Sequence, residues 1–276
     1  MVRLRLLVSI FTLIIAFDFQ TAQAKTLPYQ LNCDYGKGNP LTQHILDFTV
    51  QIVPQNGMCH VFVSNKQGES VFKYDATGIQ VSSSIDLIRE GQQFVLIQID
   101  TDPYKLFVIS FGSHPGVVAT VENKYGFWIQ NGCADGRWHI WTADGAFQGA
   151  QELIDVYHYD LIVPEVVLDL RGGKLVDSTP ECKQYFDGRI AAARAELTKR
   201  QIETFRDGSI KDTFLSGEVK GKILGIVFKY LYTARDSEAK DFLEEMWPKK
   251  DVDRVWQWMT KKRSEGLLAH LEKAKM

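Results

Sequence analysis

Few pairs of side chains in this 276-residue chain have the types and spacing that chemistry requires. In Asp155-Val156-Tyr157-His158-Tyr159-Asp160, strand alternation puts His158 and Asp160 on one face and Asp155 and Tyr157 on the other. A histidine beside a carboxylate is the raw material of acid–base catalysis, and with one distant carboxylate it is also a partial metal site. His158 and Asp160 are therefore the candidate catalytic residues of a hydrolase, the alternative being a plain His–Asp pair on a sheet surface. Gly112-Ser113-His114-Pro115-Gly116 sets a serine beside a histidine, but neighbours in sequence seldom orient as nucleophile and base. It lacks the strand–turn–helix elbow pattern and reads as a turn. No phosphate-binding loop, dinucleotide fingerprint or HExxH occurs, so neither a cofactor nor a resident metal is expected.

The second group is the four cysteines, Cys33, Cys59, Cys133 and Cys182. An even count without a CxxC pair points to disulfides in an exported chain rather than to a redox motif or a zinc ribbon. Four cysteines allow three connectivities. Three of them precede Thr179-Pro180 and one follows, so full pairing forces one bridge between the two parts of the chain. Loops of moderate length favour Cys33–Cys59 with Cys133–Cys182, while Cys33–Cys182 and Cys59–Cys182 stay open.

The stretch Tyr125 to Gly145, YGFWIQNGCADGRWHIWTADG, alternates aromatic with polar residues around an Asn-Gly and Asp-Gly loop. Read as Asn131-x-Cys133-x-Asp135-Gly136-x-x-His139-Ile140, the loop resembles the calcium loop of the integrin-type FG-GAP propeller repeats. That resemblance implies oxygen ligands at its first, third, fifth and ninth places. Only Asn131 and Asp135 supply oxygen here, and a hard cation such as Ca²⁺ needs several. The resemblance thus implies a retained loop shape with the metal lost. Asp100 and Asp102, before Leu106-Phe107-Val108, fit a shorter relic of the same kind. An ordinary hairpin accounts for the same residues.

The elements that must position these groups fall into two sets. Residues 1–24 have the pattern of a cleaved signal peptide: Arg3 and Arg5, an apolar run over 6–17, then Thr21-Ala22-Gln23-Ala24. No later run is apolar for long enough to span a bilayer, so no membrane span is expected after cleavage. The chain has 32 basic and 34 acidic residues, a balance with no field to attract nucleic acid. After an extended entry segment over 25–44 come strands over 45–53, 58–64, 70–74, 79–83, 94–99, 105–111, 117–121, 127–130, 137–142, 156–160 and 166–170. Asn56-Gly57 between apolar runs is a hairpin signal, and Arg171-Gly172-Gly173-Lys174 turns the last strand back. Thr179-Pro180-Glu181 has the composition of a helix start with a hydroxyl cap and a capping-box carboxylate. Thr198 and Gln201 have the same form. Helices follow to the end. The one over 217–232 is apolar nearly all round, which marks it as buried. Leu224-Gly225, Phe228, Ala239, Leu243 and Pro248 resemble the anchors of a tetratricopeptide hairpin, but one hairpin cannot make a solenoid, and the core of a plain helical bundle is the preferred reading of the same residues.

The fold class expected is α+β by segregation. A mainly antiparallel β domain over 25–176, propeller-like or sandwich-like, precedes an α-helical bundle or hairpin domain over 177–276. On the helix from Asp251, Trp258 lies off the face of Val252, Val255, Trp256 and Met259, so it either seals a neighbouring helix or contacts a partner. From Lys249 onward there are eight basic and four acidic residues, which reads as a solvated face. These features point to an exported, periplasmic or extracellular, non-enzymatic binding or scaffolding protein. Its partner would be another protein or an envelope component. The competing class is an exported hydrolase built on His158 and Asp160.

Overall fold

The computed structural model describes residues 24–147, 163–208 and 213–273. The entry segment is not a bare extension, because Tyr29, Leu31 and Cys33 point inward in alternation. It forms β1 (Thr26–Leu27) and β2 (Tyr29–Asp34). A first sheet follows as a meander of β3 (Leu41–Ile45), β4 (Phe48–Gln55), β5 (Met58–Asn65) and β6 (Ser70–Ala76). Its central turn works as its composition requires. Asn56 and Gly57 both adopt positive φ, 53° and 77°, so Gln55 pairs with Met58.

The next strands are β7 (Gly78–Ser82), β8 (Phe94–Ile99), β9 (Tyr104–Ser110) and β10 (Gly116–Asn123). They make a second sheet in the order β10-β9-β8-β7-β2. All six residues of β8 are buried, which is why its sequence, FVLIQI, shows almost no polar alternation. Its two faces serve two cores. Val95, Ile97 and Ile99 pack with Val50, Ile52, Val61 and Val63 of the first sheet. Phe94 and Leu96 turn the other way, to a core shared with the helices. The first two sheets therefore stack as a sandwich, and the second has helices behind it. None of the three sheets closes on itself.

The third sheet joins β1 to β11 (Trp128–Gln130), β12 (His139–Ala143), β13 (Glu165–Arg171) and β14 (Lys174–Asp177). Gly172 and Gly173, at φ 56° and 73°, make the tight turn between the last two. Every paired strand in the three sheets is antiparallel. The helices then run α1 (Lys183–Ala195), α2 (Lys199–Arg206), α3 (Thr213–Tyr232), α4 (Asp236–Met246), α5 (Val252–Ser264) and α6 (Leu267–Lys273). Strands thus fill the N-terminal half and helices the C-terminal part. One core nevertheless runs across the change at residues 176–177. It joins Leu106, Ile140, Val166 and Leu168 of the strands to Val219, Ile223, Phe228, Phe242 and Met259 of the helices. No helix among the described residues is long and apolar enough to cross a membrane.

The two capping motifs diverge. Thr198 and Gln201 close a reciprocal capping box on α2. Ser178, Thr179 and Glu181 do not cap α1: residues Thr179–Cys182 form a 3-10 turn without a side-chain cap bond. Thr179 instead accepts the Val167 N–H at 2.9 Å, and Ser178 donates to Asp169. A cap signature can be outbid by a buried carboxylate that needs donors, and it is outbid here.

Asp144 ties the third sheet to the helices. It is fully buried, and its carboxylate accepts the Tyr232 hydroxyl at 2.7 Å, the Ala146 N–H and the Leu267 N–H that opens α6. Gly266 is required for this approach, because a Cβ there would overlap the carboxylate. Burial, followed by the Asp144 charge, pushes the Tyr232 hydroxyl well above its ordinary value, so it stays a donor. Tyr232→Phe removes that donor from a buried acceptor. The expected loss is about 1–3 kcal/mol of unfolding free energy, read from urea denaturation.

Candidate functional site: a sealed charge cluster and an open cleft

His139 begins β12, and Asp169 lies on β13. The pairing of Ile140 with Leu168 brings these two residues opposite each other one step further along. The histidine Nδ1 and Asp169 Oδ1 are 2.5 Å apart, and Nε2 is 3.1 Å from Asp135 Oδ1. Both ring nitrogens are thus engaged, and His139 and Asp169 are almost completely buried. The second Asp169 oxygen receives Arg137 at 3.1 Å, Arg171 at 2.9 Å and Ser178 at 3.2 Å. Arg171 reaches on to Glu181, and Asp135 also accepts the Arg137 backbone N–H and guanidinium.

The electrostatics follow from these contacts. For Asp169, burial alone would raise the carboxyl most, but His139 and Arg171 outweigh it and hold it at about 2. Asp135 is likewise pushed up by burial, then drawn down to about 2 by Arg137 and His139. Burial favours the neutral form of His139, but its bonds to Asp169 and Asp135 prevail and raise it above its ordinary value. The cluster is an ion network closed on itself, and both imidazole nitrogens are engaged within it.

The network is pinned beside a disulfide. Cys33 pairs with Cys59 and Cys133 with Cys182, the connectivity that loop length favoured, so the second bridge ties the β11–β12 loop to the start of α1. Around that bridge Trp141, Val167 and Phe186 form a small apolar cluster. Tyr185 lies across Trp141 at 5.0 Å between ring centroids. The aromatic residues of the central stretch are spent on packing: Phe127 and Trp141 are buried, and Trp128 and Trp138 are half-buried. They make no flat exposed patch. Among the described residues, the large apolar side chains that are exposed are Tyr35, Leu46 and Val117, which lie on separate strands and turns.

The oxygens of the calcium-like loop are also occupied. Asn131 Oδ1 accepts the Lys25 N–H at 2.7 Å, and Asp135 is held by Arg137 and His139. An incoming Ca²⁺ would have to break these bonds with only two oxygen-bearing side chains to replace them. Calorimetric titration is expected to show no saturable Ca²⁺ binding at this loop. A micromolar affinity abolished by Asp135→Ala would contradict that.

His158 and Asp160, the catalytic candidates of the sequence, lie outside the described residues. Ser113 and His114 are exposed in the turn between β9 and β10. Trp258 is half-buried on α5, with its ring edge-on to Phe147 at 5.6 Å. The site residues that sequence reasoning missed are Asp169 and its partners Arg171 and Ser178. The signal was present: a lone aspartate inside the apolar run Val166-Val167-Leu168-Asp169-Leu170 has to be satisfied by something.

A cleft of about 750 Å³ opens elsewhere, between the β9–β10 edge and the C-terminal helices. Val121, Ala146, Leu267 and Leu271 supply its apolar surface, and Lys124, Lys262 and Glu265 its charged rim. Asp144 reaches its wall, but its oxygens are already spent on Tyr232, Leu267 and Ala146. No protein-family model, curated protein or solved structure matches the chain.

Proposed function

We propose that this is an exported, non-catalytic binding or scaffolding protein, and that the cleft beside α6 receives its partner, an envelope component or another protein. One observation carries the proposal. The buried histidine among the described residues is locked by two carboxylates, while the open cleft offers an apolar floor with a charged rim of both signs. Its volume lies in the range of ligand-holding clefts. A hydrolase would need convergent titratable groups free to exchange protons with a bound molecule. Export is supported by the leader-like residues 1–24 and by two disulfides, which persist in oxidising compartments.

The test is capture by the immobilised chain from its own envelope extract, with Leu271→Arg and Lys124→Glu as cleft variants. The proposal expects a captured component that both variants lose. Capture indifferent to the cleft, together with a hydrolytic activity abolished by His158→Ala, would replace the proposal with the enzyme alternative.

A further inference from the structure

We propose that Cys133, Cys182 and His139 form a thiolate-rich site for a Zn²⁺-type transition metal in the reduced chain, mutually exclusive with the Cys133–Cys182 disulfide. The two sulfurs and a histidine nitrogen lie within 4.8 Å of one another, and all three residues are buried. Among the described residues this is the one such convergence of three ligating side chains; the other bridge, Cys33–Cys59, has none. A tetrahedral Zn²⁺ with bonds of about 2.3 Å to sulfur and 2.0 Å to nitrogen needs edges of about 3.5–3.8 Å. Rotation of the two freed cysteine side chains must therefore move the sulfurs apart, while the imidazole is already near its place.

The surroundings supply what such a site requires beyond its ligands. Asp169 holds Nδ1, so Nε2 becomes the ligand nitrogen once the metal displaces its bond to Asp135. That is the carboxylate–histidine–metal arrangement that orients and strengthens imidazole ligands. Asp135 Oδ1, 3.1 Å from Nε2, yields that bond to the metal and keeps its bonds to Arg137, and water completes the tetrahedron. Two thiolates and an imidazole suit Zn²⁺ or Co²⁺, and the same loop is poor in the several oxygens that Ca²⁺ takes.

The chemistry balances with a dithiol as reductant. Its two thiols deliver two electrons and two protons to the protein S–S bond, giving Cys133 and Cys182 thiols and leaving the reductant as its own disulfide. Zn²⁺ then displaces one proton from each protein thiol. A small-molecule disulfide reverses this: it accepts the two electrons and two protons to become two thiols, the protein S–S bond re-forms and the metal leaves, so the position holds a disulfide or an ion, never both.

The test uses the full mature chain, reduced with dithiothreitol, freed of reductant anaerobically and titrated with Co²⁺. The expected result is one equivalent bound, with a thiolate-to-cobalt charge-transfer band that Zn²⁺ removes. Cys33→Ser/Cys59→Ser should keep the band, and Cys133→Ser/Cys182→Ser should abolish it. Asp169→Asn should weaken binding about 10-fold or more without removing the band. The oxidised chain should show none. If reduction unfolds the protein, Co²⁺ must restore its circular dichroism together with the band. Absence of the band, its survival in Cys133→Ser/Cys182→Ser, its presence in the oxidised chain or failure to refold with metal would each overturn the proposal.

Discussion

Asp169→Ala is expected to cost about 3–5 kcal/mol of unfolding free energy, a large fraction of an ordinary total of about 5–15 kcal/mol. The carboxylate is almost completely buried and serves four donors, His139, Arg137, Arg171 and Ser178. Removing it leaves His139 and two guanidinium groups facing one another with only Asp135 and Glu181 as counter-charges. The control is Glu181→Gln. Glu181 meets the same Arg171 but is half exposed, so its loss should cost no more than about 1 kcal/mol. Urea unfolding of both variants checks the contrast, and equal effects would mean that the network is solvated rather than sealed.

The same network sets a pH dependence. Asp135 and Asp169 titrate near 2 in the folded chain, below their ordinary value of 3.8. The folded state therefore holds fewer protons than the unfolded one in this window. Their contribution is complete above about pH 4 and is lost as the pH falls toward 2. His139 has the opposite sign. Its value is raised in the folded chain, so its contribution is complete below its ordinary value of 6.5 and is lost as the pH rises through the folded value. Stability should fall on both sides of a mildly acidic maximum, and Asp169→Ala should flatten both limbs. A wild-type urea midpoint constant between pH 3 and 9 would show that the network contributes nothing.

Removing the second disulfide is the other large effect. Cys133 and Cys182 are 49 residues apart, and Cys33 and Cys59 only 26. On chain-entropy grounds, opening the longer loop costs about 4 kcal/mol and the shorter one about 3.5 kcal/mol. The two double-serine variants should nevertheless fail differently. Cys33 and Cys59 lie within one sandwich core, whereas Cys133–Cys182 joins the third sheet to α1. Without the latter, proteolysis should first open the contact between the β11–β12 loop and α1 while the sandwich resists. Cleavage appearing first in β4 or β5 would reverse that assignment.

Local signals in the sequence were reliable where one turn or one helix end settles the geometry. Asn56-Gly57 forms the tight β4–β5 turn, and Thr198 with Gln201 caps α2. The hydrophobic circumference of α3 likewise marked it as central, since Val219 to Leu231 line the shared core. What local pattern cannot carry is competition between distant partners. Thr179-Pro180-Glu181 has the composition of a cap, but Thr179 is taken by Val167 and Glu181 by Arg171. The strand pairing of residue 139 with residue 169 decides that outcome, and no window of ten residues contains both. The entry segment hid β2 and β3 for a related reason. Their partners, β7 and β4, give them order, while the Gly, Pro and Asn residues around them, Pro28 and Gly36 to Pro40, argue for a loop.

The pairing of β1 with β11 bears on the order in which the chain can assemble. Thr26 meets Gln130 and Leu27 meets Ile129, so the first strand to be made waits for about a hundred further residues before its hydrogen bonds exist. The β4–β5 hairpin, by contrast, can close as soon as Met58 follows Gln55. The first sheet can thus begin from a local hairpin, whereas the third needs both ends of its pairing. The N-terminal strand, two residues long and fastened by Lys25 to Asn131, is the last edge to be sewn in and the first to come loose.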